Sequence, residues 1–324
     1  MSDFRSDITL PEVAAFLAAR FGSEVRDLAQ VGRQGEWSTA FRFGLDGREW
    51  ILRFSALDED FRKDAIAARF AAPGLPIPAI REIGEAFGGF YAISERIPGT
   101  FLDELNGEAM RATLPALFAT LDAMRRVDLG HSSGYGVWDA DGNGPHPTWH
   151  AALRDIGNDR PRERTHGWRE RLRGSPFGLE RFDESFAALE RLLPFCREER
   201  FLVHGDLLNF NVLTVDGQIS GVIDWGCALT GDFLYDLAWF AFWAPWYPAW
   251  QGIDFAREAQ AHYAAAGLEV LHFAERLRAY QLHIGLDSQR YNAFRGRWEN
   301  LEQVTAQTLD LARSAIDEAV CCGV

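Results

Sequence analysis

Lysine is almost absent from this sequence. Of 33 basic residues one, Lys63, is lysine and the rest are arginine, a bias read as coding preference. Cysteine is scarce too: Cys196, Cys227, Cys321 and Cys322 show no metal-ligand spacing, and the adjacent pair Cys321-Cys322 reads as incidental thiols. That usage fits a reducing cytoplasm. No uncharged apolar run approaches the ~18 residues of a membrane span. The first residues, with Asp3, Arg5 and Asp7, lack a secretory apolar core. Positive charge is in deficit, with 47 acidic residues and a net charge of -14. That argues against nucleic acid, whose phosphates need a basic stripe. It suits a cationic small-molecule partner, although solubility alone would also explain it. There is no internal repeat.

What is present is a foldable chain of 324 residues, 47% hydrophobic, enough for one large domain or two lobes with a real core. Thr9-Leu10-Pro11-Glu12 is a capping-box pattern, and Gly22 is a helix stop. Short β-type runs follow at 25–31, 37–43 and 49–54, the last two joined by Asp46-Gly47. A helix is expected from about 58 to 72, then strands at 80–87 and 90–95 joined by Gly88-Gly89. Beyond residue 96 the periodicity predicts helices near 107–127, 180–194, 232–243, 254–266, 269–294 and 298–320. The stretch 130–178 reads as irregular, with one helix near 149–156. Its arginines (Arg160, Arg162, Arg164, Arg169, Arg171, Arg173) read as a solvated face.

The most informative segment is Phe201 to Trp225, FLVHGDLLNFNVLTVDGQISGVIDW. His204, Asp206 and Asn211 give the spacing H-x-D-x-x-x-x-N, and Asp224 follows a hairpin turning at Asp216-Gly217. Phosphoryl transfer needs a carboxylate beside the attacking hydroxyl, and an amide plus a second carboxylate to hold Mg²⁺ on the phosphates. A strand-loop-strand frame can bring all three into one cleft.

These residues resemble the aminoglycoside phosphotransferase family, a branch of the protein-kinase-like fold. The Asp-Trp-Gly at 224–226 and the helix start Gly231-Asp232-Phe233-Leu234-Tyr235-Asp236 extend the likeness. The resemblance implies a two-lobed α+β fold: residues 1–95 an N-lobe with a five-stranded antiparallel sheet and one or two helices, residues 96–324 a mostly helical C-lobe. It implies Asp206 as the catalytic residue, Asn211 and Asp224 as Mg²⁺ ligands, and ATP (GTP also open) as the donor. Asp236 would brace the catalytic loop, and His204 would organise it through ring hydrogen bonds. The turn with Gly32, Gly35 and Ser38 would cover the phosphates. Arg53 stands where protein kinases carry Lys, with Asp64 as its expected partner and Asp60 or Glu59 as alternatives. The Ser94 carbonyl and Arg96 amide would meet adenine.

Several segments are similar to the hygromycin B kinase branch: Leu75-Pro76-Ile77-Pro78, Val222-Ile223-Asp224-Trp225, Phe242-Trp243-Ala244-Pro245-Trp246 and Ile284-Gly285-Leu286-Asp287. The acceptor implied is a cationic aminoglycoside, with Asp287 as leading pocket acid and Asp232 and Glu299 behind it. Asp287 could instead pair with Arg290. Trp239, Trp243 and Trp246 read as core or as a sugar platform. A kinase of another hydroxylated small molecule (macrolide, choline-like amine, sugar) and a silent nucleotide-binding module are the alternatives. A monomer or small homo-oligomer is expected.

Overall fold

The computed structural model describes residues 8–161 and 163–316. The opening residues with Asp3, Arg5 and Asp7, the Cys321-Cys322 pair, and Arg162 lie outside the described residues.

Helix α1 (Leu10–Phe21) begins where the Thr9 N–H donates to the Glu12 carboxylate at 2.8 Å, and it stops at Gly22, whose φ is 71°. Five strands follow: β1 (Arg26–Gln30), β2 (Thr39–Leu45), β3 (Arg48–Ser55), β4 (Ile80–Ala86) and β5 (Gly89–Glu95). They form one antiparallel sheet in the order β1-β2-β3-β5-β4. Period-two alternation sets its inner face: Phe41, Phe43 and Leu45 of β2 and Trp50, Leu52 and Phe54 of β3 point to one side, where Val13 and Leu17 of α1 cover them. Asp46 and Gly47 take positive φ at the β2–β3 hairpin as expected; at the β4–β5 hairpin it is Phe87 and Gly88 that do so. Helix α2 (Glu59–Ala67) lies between β3 and β4 and ends sooner than expected, in a short 3₁₀ turn at Ala68–Phe70.

Beyond residue 95 the chain is mostly helical. It contains β6 (Thr100–Phe101), α3 (Gly107–Arg125), β7 (Gly136–Val137), α4 (Trp149–Arg154), α5 (Trp168–Arg173) and α6 (Glu180–Leu192). Then come β8 (Phe201–Val203), β9 (Val212–Val215), β10 (Gln218–Val222), β11 (Leu229–Gly231), α7 (Leu234–Trp243), α8 (Phe255–Ala265), α9 (Phe273–Arg295) and α10 (Trp298–Arg313). Two small sheets, β10-β9-β6 and β7-β11-β8, frame the loops between β8 and α7. The core of this part is one cluster that includes buried Trp138, Trp149, Trp168, Trp225 and Trp250.

Helix α5 falls in the stretch read as irregular. Its arginines are not a solvated face throughout. Arg164 forks onto Asp60 at 2.9 and 3.0 Å, Arg169 reaches the Gly157 carbonyl at 2.9 Å, and Arg171 the Phe294 carbonyl at 2.6 Å. Arg160 and Arg173 keep more than half of their side chains exposed. The segment is therefore tied inward by guanidinium-to-carbonyl and ion-pair contacts. Among the described residues no helix is long and apolar enough to cross a membrane.

Candidate active site

The loop between β8 and β9 carries His204, Asp206 and Asn211. It is held by groups that do not face the cleft. Asp236, on the first turn of α7, accepts the N–H groups of His204 and Gly205 at 2.8 and 2.9 Å. Its burial raises the carboxyl to about 7. The His204 ring is fully buried. Its Nδ1 accepts the Asp206 N–H at 3.2 Å, so its Nε2–H donates to the Ile223 carbonyl at 3.0 Å. Burial lowers this histidine to about 4, which keeps the ring neutral and excludes it as a proton carrier.

The Asp206 carboxylate receives the Asn209 side-chain N–H at 2.7 Å on one oxygen and the Asn211 side-chain N–H at 3.3 Å on the other. Asn211 also donates to the Asp206 carbonyl at 2.8 Å. Burial raises Asp206 to about 8, the asparagine bonds oppose the rise, and the Asp224 and Asp103 charges add to it. Asp224 sits just past β10 in a left-handed conformation, φ 61° and ψ 67°, with about half of its side chain open to the cleft. Enclosure raises it to about 6; Asp64 and Asp60 add to the rise and Arg53 counters it.

The cation comes from the sheet. Arg53 on β3 pairs with Asp64 of α2 and lies 4.0 Å from Asp224. Asp64 is thus the acid that meets Arg53, while Asp60 faces Arg164 and Glu59 pairs with Lys63 at 2.6 Å. The other oxygen of Asp64 accepts the Trp225 N–H at 2.7 Å, and Lys63 donates to the Gly226 carbonyl at 3.1 Å. One helix therefore fixes both Arg53 and the Asp-Trp-Gly turn.

The β1–β2 turn is tied to the β8–β9 loop and to the end of α9. Gln34 exchanges two hydrogen bonds with the Ala40 backbone, at 2.7 and 3.0 Å, and so shapes a loop with few glycines. A Cβ on Gly35 would meet Ser38 Oγ at 3.5 Å, so these two expected loop residues are neighbours. Arg33 stacks on the Phe210 ring at 3.3 Å. Glu36 pairs with Arg295, the last residue of α9, at 3.1 Å and with Arg297, just before α10. The Arg164 and Arg295 guanidinium groups lie over the Trp37 ring at 5.4 and 4.7 Å.

The expected adenine pair is corrected. The Arg96 N–H already donates to the Glu49 carbonyl at 3.1 Å, and Ser94 is flanked by Ile51 on one side and Ile80 on the other. The alternation of the ladder decides which backbone groups face out, and these do not.

Of the three acceptor acids, Asp287 stays a candidate. It is half exposed and only loosely paired with Arg290, at 3.7 Å. The Cys227 thiol has Asp206, Asp224, Asp60 and Asp287 as its charged neighbours, which puts Asp287 on the cleft side of α9. Asp232 is corrected. It is fully buried, holds Arg276 at 2.7 and 2.8 Å, and accepts from Tyr280 and the Leu234 N–H. It is a structural acid with no free face. Glu299 is exposed in the first turn of α10 and makes no bond to the groups above. Trp239, Trp243 and Trp246 are half-buried; Trp239 and Trp243 of α7 meet at a tilt, 6.2 Å between ring centroids, and Trp243 meets Trp246, in the 3₁₀ turn after α7, edge to face at 5.3 Å. The buried indole N–H groups of Trp239 and Trp243 have no acceptor among the described residues.

The sequence reading missed Asp103, Asn209, Lys63, Gln34 and Glu36. Asn209 was recoverable, since it lies inside the H-x-D-x-x-x-x-N spacing, and Lys63 stands out as the only lysine. Asp103 and Glu36 act through partners distant in the chain, and Gln34 through the backbone of its own turn.

Comparison with known proteins follows the same geometry. Residues 30–276, more than half the chain, match the model of the phosphotransferase enzyme family. The chain is 33% identical over 300 residues to the hygromycin-B 4-O-kinase of Escherichia coli, covering 91% of this chain and 83% of that protein. A crystal structure of a thermostable mutant of aminoglycoside phosphotransferase APH(4)-Ia, in ternary complex with AMP-PNP and hygromycin B, aligns with a TM-score of 0.81 at 32% identity. That alignment covers 96% of this chain and 99% of the other. Spectinomycin phosphotransferase APH(9)-Ia, in complex with ADP and spectinomycin, shares the fold at a TM-score of 0.62 and 12% identity, over 95% of this chain and 98% of its own.

Proposed function

The chain belongs to the phosphotransferase enzyme family, and from that premise we propose that it is an ATP-dependent kinase of an aminoglycoside, with hygromycin B as the acceptor. The observation that carries the reading is the meeting of Asp206, Asn211, Asp224 and Arg53 in one cleft: Asn211 bonds Asp206, Arg53 lies 4.0 Å from Asp224, and Asn209 and Asp64 hold Asp206 and Arg53 from beside the set.

The residues fit Mg²⁺. The Asn211 amide nitrogen is committed to Asp206, which leaves its carbonyl oxygen, a hard donor, as the available group; Asp224 offers a half-exposed carboxylate. Octahedral Mg²⁺ takes one or two protein oxygens of this kind and fills its other positions with phosphate and water. When bound, it neutralises charge on the phosphates. Arg53, locked by Asp64, directs its guanidinium at the same region and steadies the phosphates.

Asp206 orients the acceptor hydroxyl and takes its proton as the new O–P bond forms and the bond to the bridging oxygen of ADP breaks. Burial raises the Asp206 carboxyl, and positive charge beside it, from Mg²⁺ on the phosphates or from the ammonium groups of an aminoglycoside, would favour its ionised form. The net charge of -14 and the open Asp287 favour the same kind of acceptor.

A panel of acceptors in a coupled ADP-release assay tests this, together with growth of a sensitive bacterium expressing the protein. Hygromycin B should be phosphorylated and tolerated, with no effect on kanamycin or macrolides. Asp206→Asn should keep nucleotide binding and lose about 10²–10⁴-fold in kcat. Phosphorylation of a macrolide or choline but not hygromycin B would reject the acceptor and leave the kinase standing.

A further inference from the structure

Asp103 belongs to no motif, yet its carboxylate is among the best-connected groups beside the catalytic loop. It lies in the short turn after β6. One oxygen accepts the Asn209 N–H at 2.9 Å and the Tyr247 hydroxyl at 2.7 Å; the other accepts the Phe210 N–H at 3.1 Å. Asn209 and Phe210 are consecutive non-glycine residues at φ 65° and 68°, a left-handed conformation that persists only where the surroundings over-determine it. Two successive N–H groups in such a turn converge on an anion. Here the anion is Asp103. Asn209 then passes the constraint on, because its side-chain N–H donates to Asp206 at 2.7 Å.

We propose that Asp103 is a positioning residue for phosphoryl transfer: by fixing the Asn209–Phe210 backbone it aims the Asn209 amide, which sets the orientation of the Asp206 carboxylate. The proposal rests on the reading of Asp206 as the group that orients the acceptor hydroxyl. An amide in place of Asp103 cannot do the same. It has one acceptor oxygen, so its NH₂ would face either the Phe210 N–H or the Asn209–Tyr247 donor pair. Loss of the anchor frees the turn to relax. Misplacement by about 1 Å at a reacting group costs on the order of 100-fold in rate.

The test is a double-mutant cycle with the acceptor that the panel identifies. Asp103→Asn should lower kcat by about 10–100-fold. The KM for ATP and directly measured nucleotide binding should stay near wild type, a split that general loosening of the fold would not give. Asn209→Ala should lower kcat similarly. In the Asn209→Ala background, Asp103→Asn should add little, because its route to Asp206 is already cut. If Asp103→Asn does not fold, Tyr247→Phe replaces it in the same cycle, with a smaller loss that also vanishes when Asn209 is alanine. Losses that multiply independently, or wild-type kcat in the Asp103 or Tyr247 variants, overturn the proposal. Asp206→Asn measured alongside separates the two levels. If it retains turnover, the reading of Asp206 fails and the proposal with it; if it is inactive while the cycle is additive, only the proposal fails.

Discussion

Replacing Asp232 distinguishes a buried structural acid from an acceptor ligand. Its carboxylate has no exposed surface, and Arg276 opposite it keeps only 2% of its side chain in contact with solvent. The pair shares two close contacts, 2.7 and 2.8 Å, and Asp232 also receives Tyr280 and the Leu234 N–H. Asp232→Leu would leave the guanidinium without a carboxylate, with the Leu271 carbonyl at 2.9 Å, the Phe233 ring at 5.4 Å and Tyr280 as its remaining neighbours. An uncompensated buried charge of this kind costs about 3–5 kcal/mol. Urea unfolding should show that loss as a lower midpoint at unchanged slope. The double variant Asp232→Leu/Arg276→Met should recover most of it, since a well-packed apolar replacement of both partners is often neutral or better. In every variant that remains folded, the KM for the acceptor should equal that of wild type. A loss below about 1 kcal/mol for Asp232→Leu, or an acceptor KM that rises at unchanged stability, refutes the reasoning.

Further outcomes are expected. Arg53→Lys should be mildly harmful and Arg53→Ala severe, raising the KM for ATP and lowering kcat together, because the forked guanidinium reaches both Asp64 and the cleft; unchanged kinetics in both would reduce Arg53 to a strand charge. His204 is neutral in the fold at about 4 against an ordinary 6.5, so the unfolded chain binds the extra proton between these values. Its contribution is intact above pH 6.5 and lost as pH falls toward 4, with a slope of up to about 1.4 kcal/mol per pH unit; unfolding curves of His204→Gln should be flatter by that one proton. Glu36→Gln removes the ion pairs that tie the β1–β2 turn to Arg295 and Arg297. Nucleotide dissociation followed by stopped flow should become faster and lose much of its salt dependence, and an unchanged off-rate would show that the turn closes without them.

The legible parts of this protein are those whose partners are near in sequence. The spacing from His204 to Asn211 and the hairpin before Asp224 are local, so the cleft could be anticipated from one segment. Asp64 was within reach because the resemblance put the partner of Arg53 on the helix after β3, and Asp64 is 11 positions away. Asp232 and Asp236 show the limit. They are four residues apart on the same helix start, yet one braces the catalytic loop and the other meets Arg276, 44 positions away. Nothing local separates them. Arg164 and Asp60 are 104 positions apart, and that distance hid the inward role of the arginine segment. Helix α5 begins after Gly167 at φ 89° without a side-chain cap, so it carried no start signal. The error over Arg96 came from strand alternation, where a shift of one residue reverses which groups face the cleft.

Lys63 has a consequence for chemical labelling. Its side chain is about 3% exposed, shut between Glu59 and the Gly226 carbonyl. Arginine does not react with acylating reagents at neutral pH, because its guanidinium stays protonated. The ε-amine available to such reagents is therefore a single atom, and it is shielded for as long as α2 stays docked on the Asp-Trp-Gly turn. The rate at which one acyl group appears on Lys63, read by mass spectrometry after digestion, is a clock for that undocking. Saturating nucleotide should slow it, and no engineered probe is required.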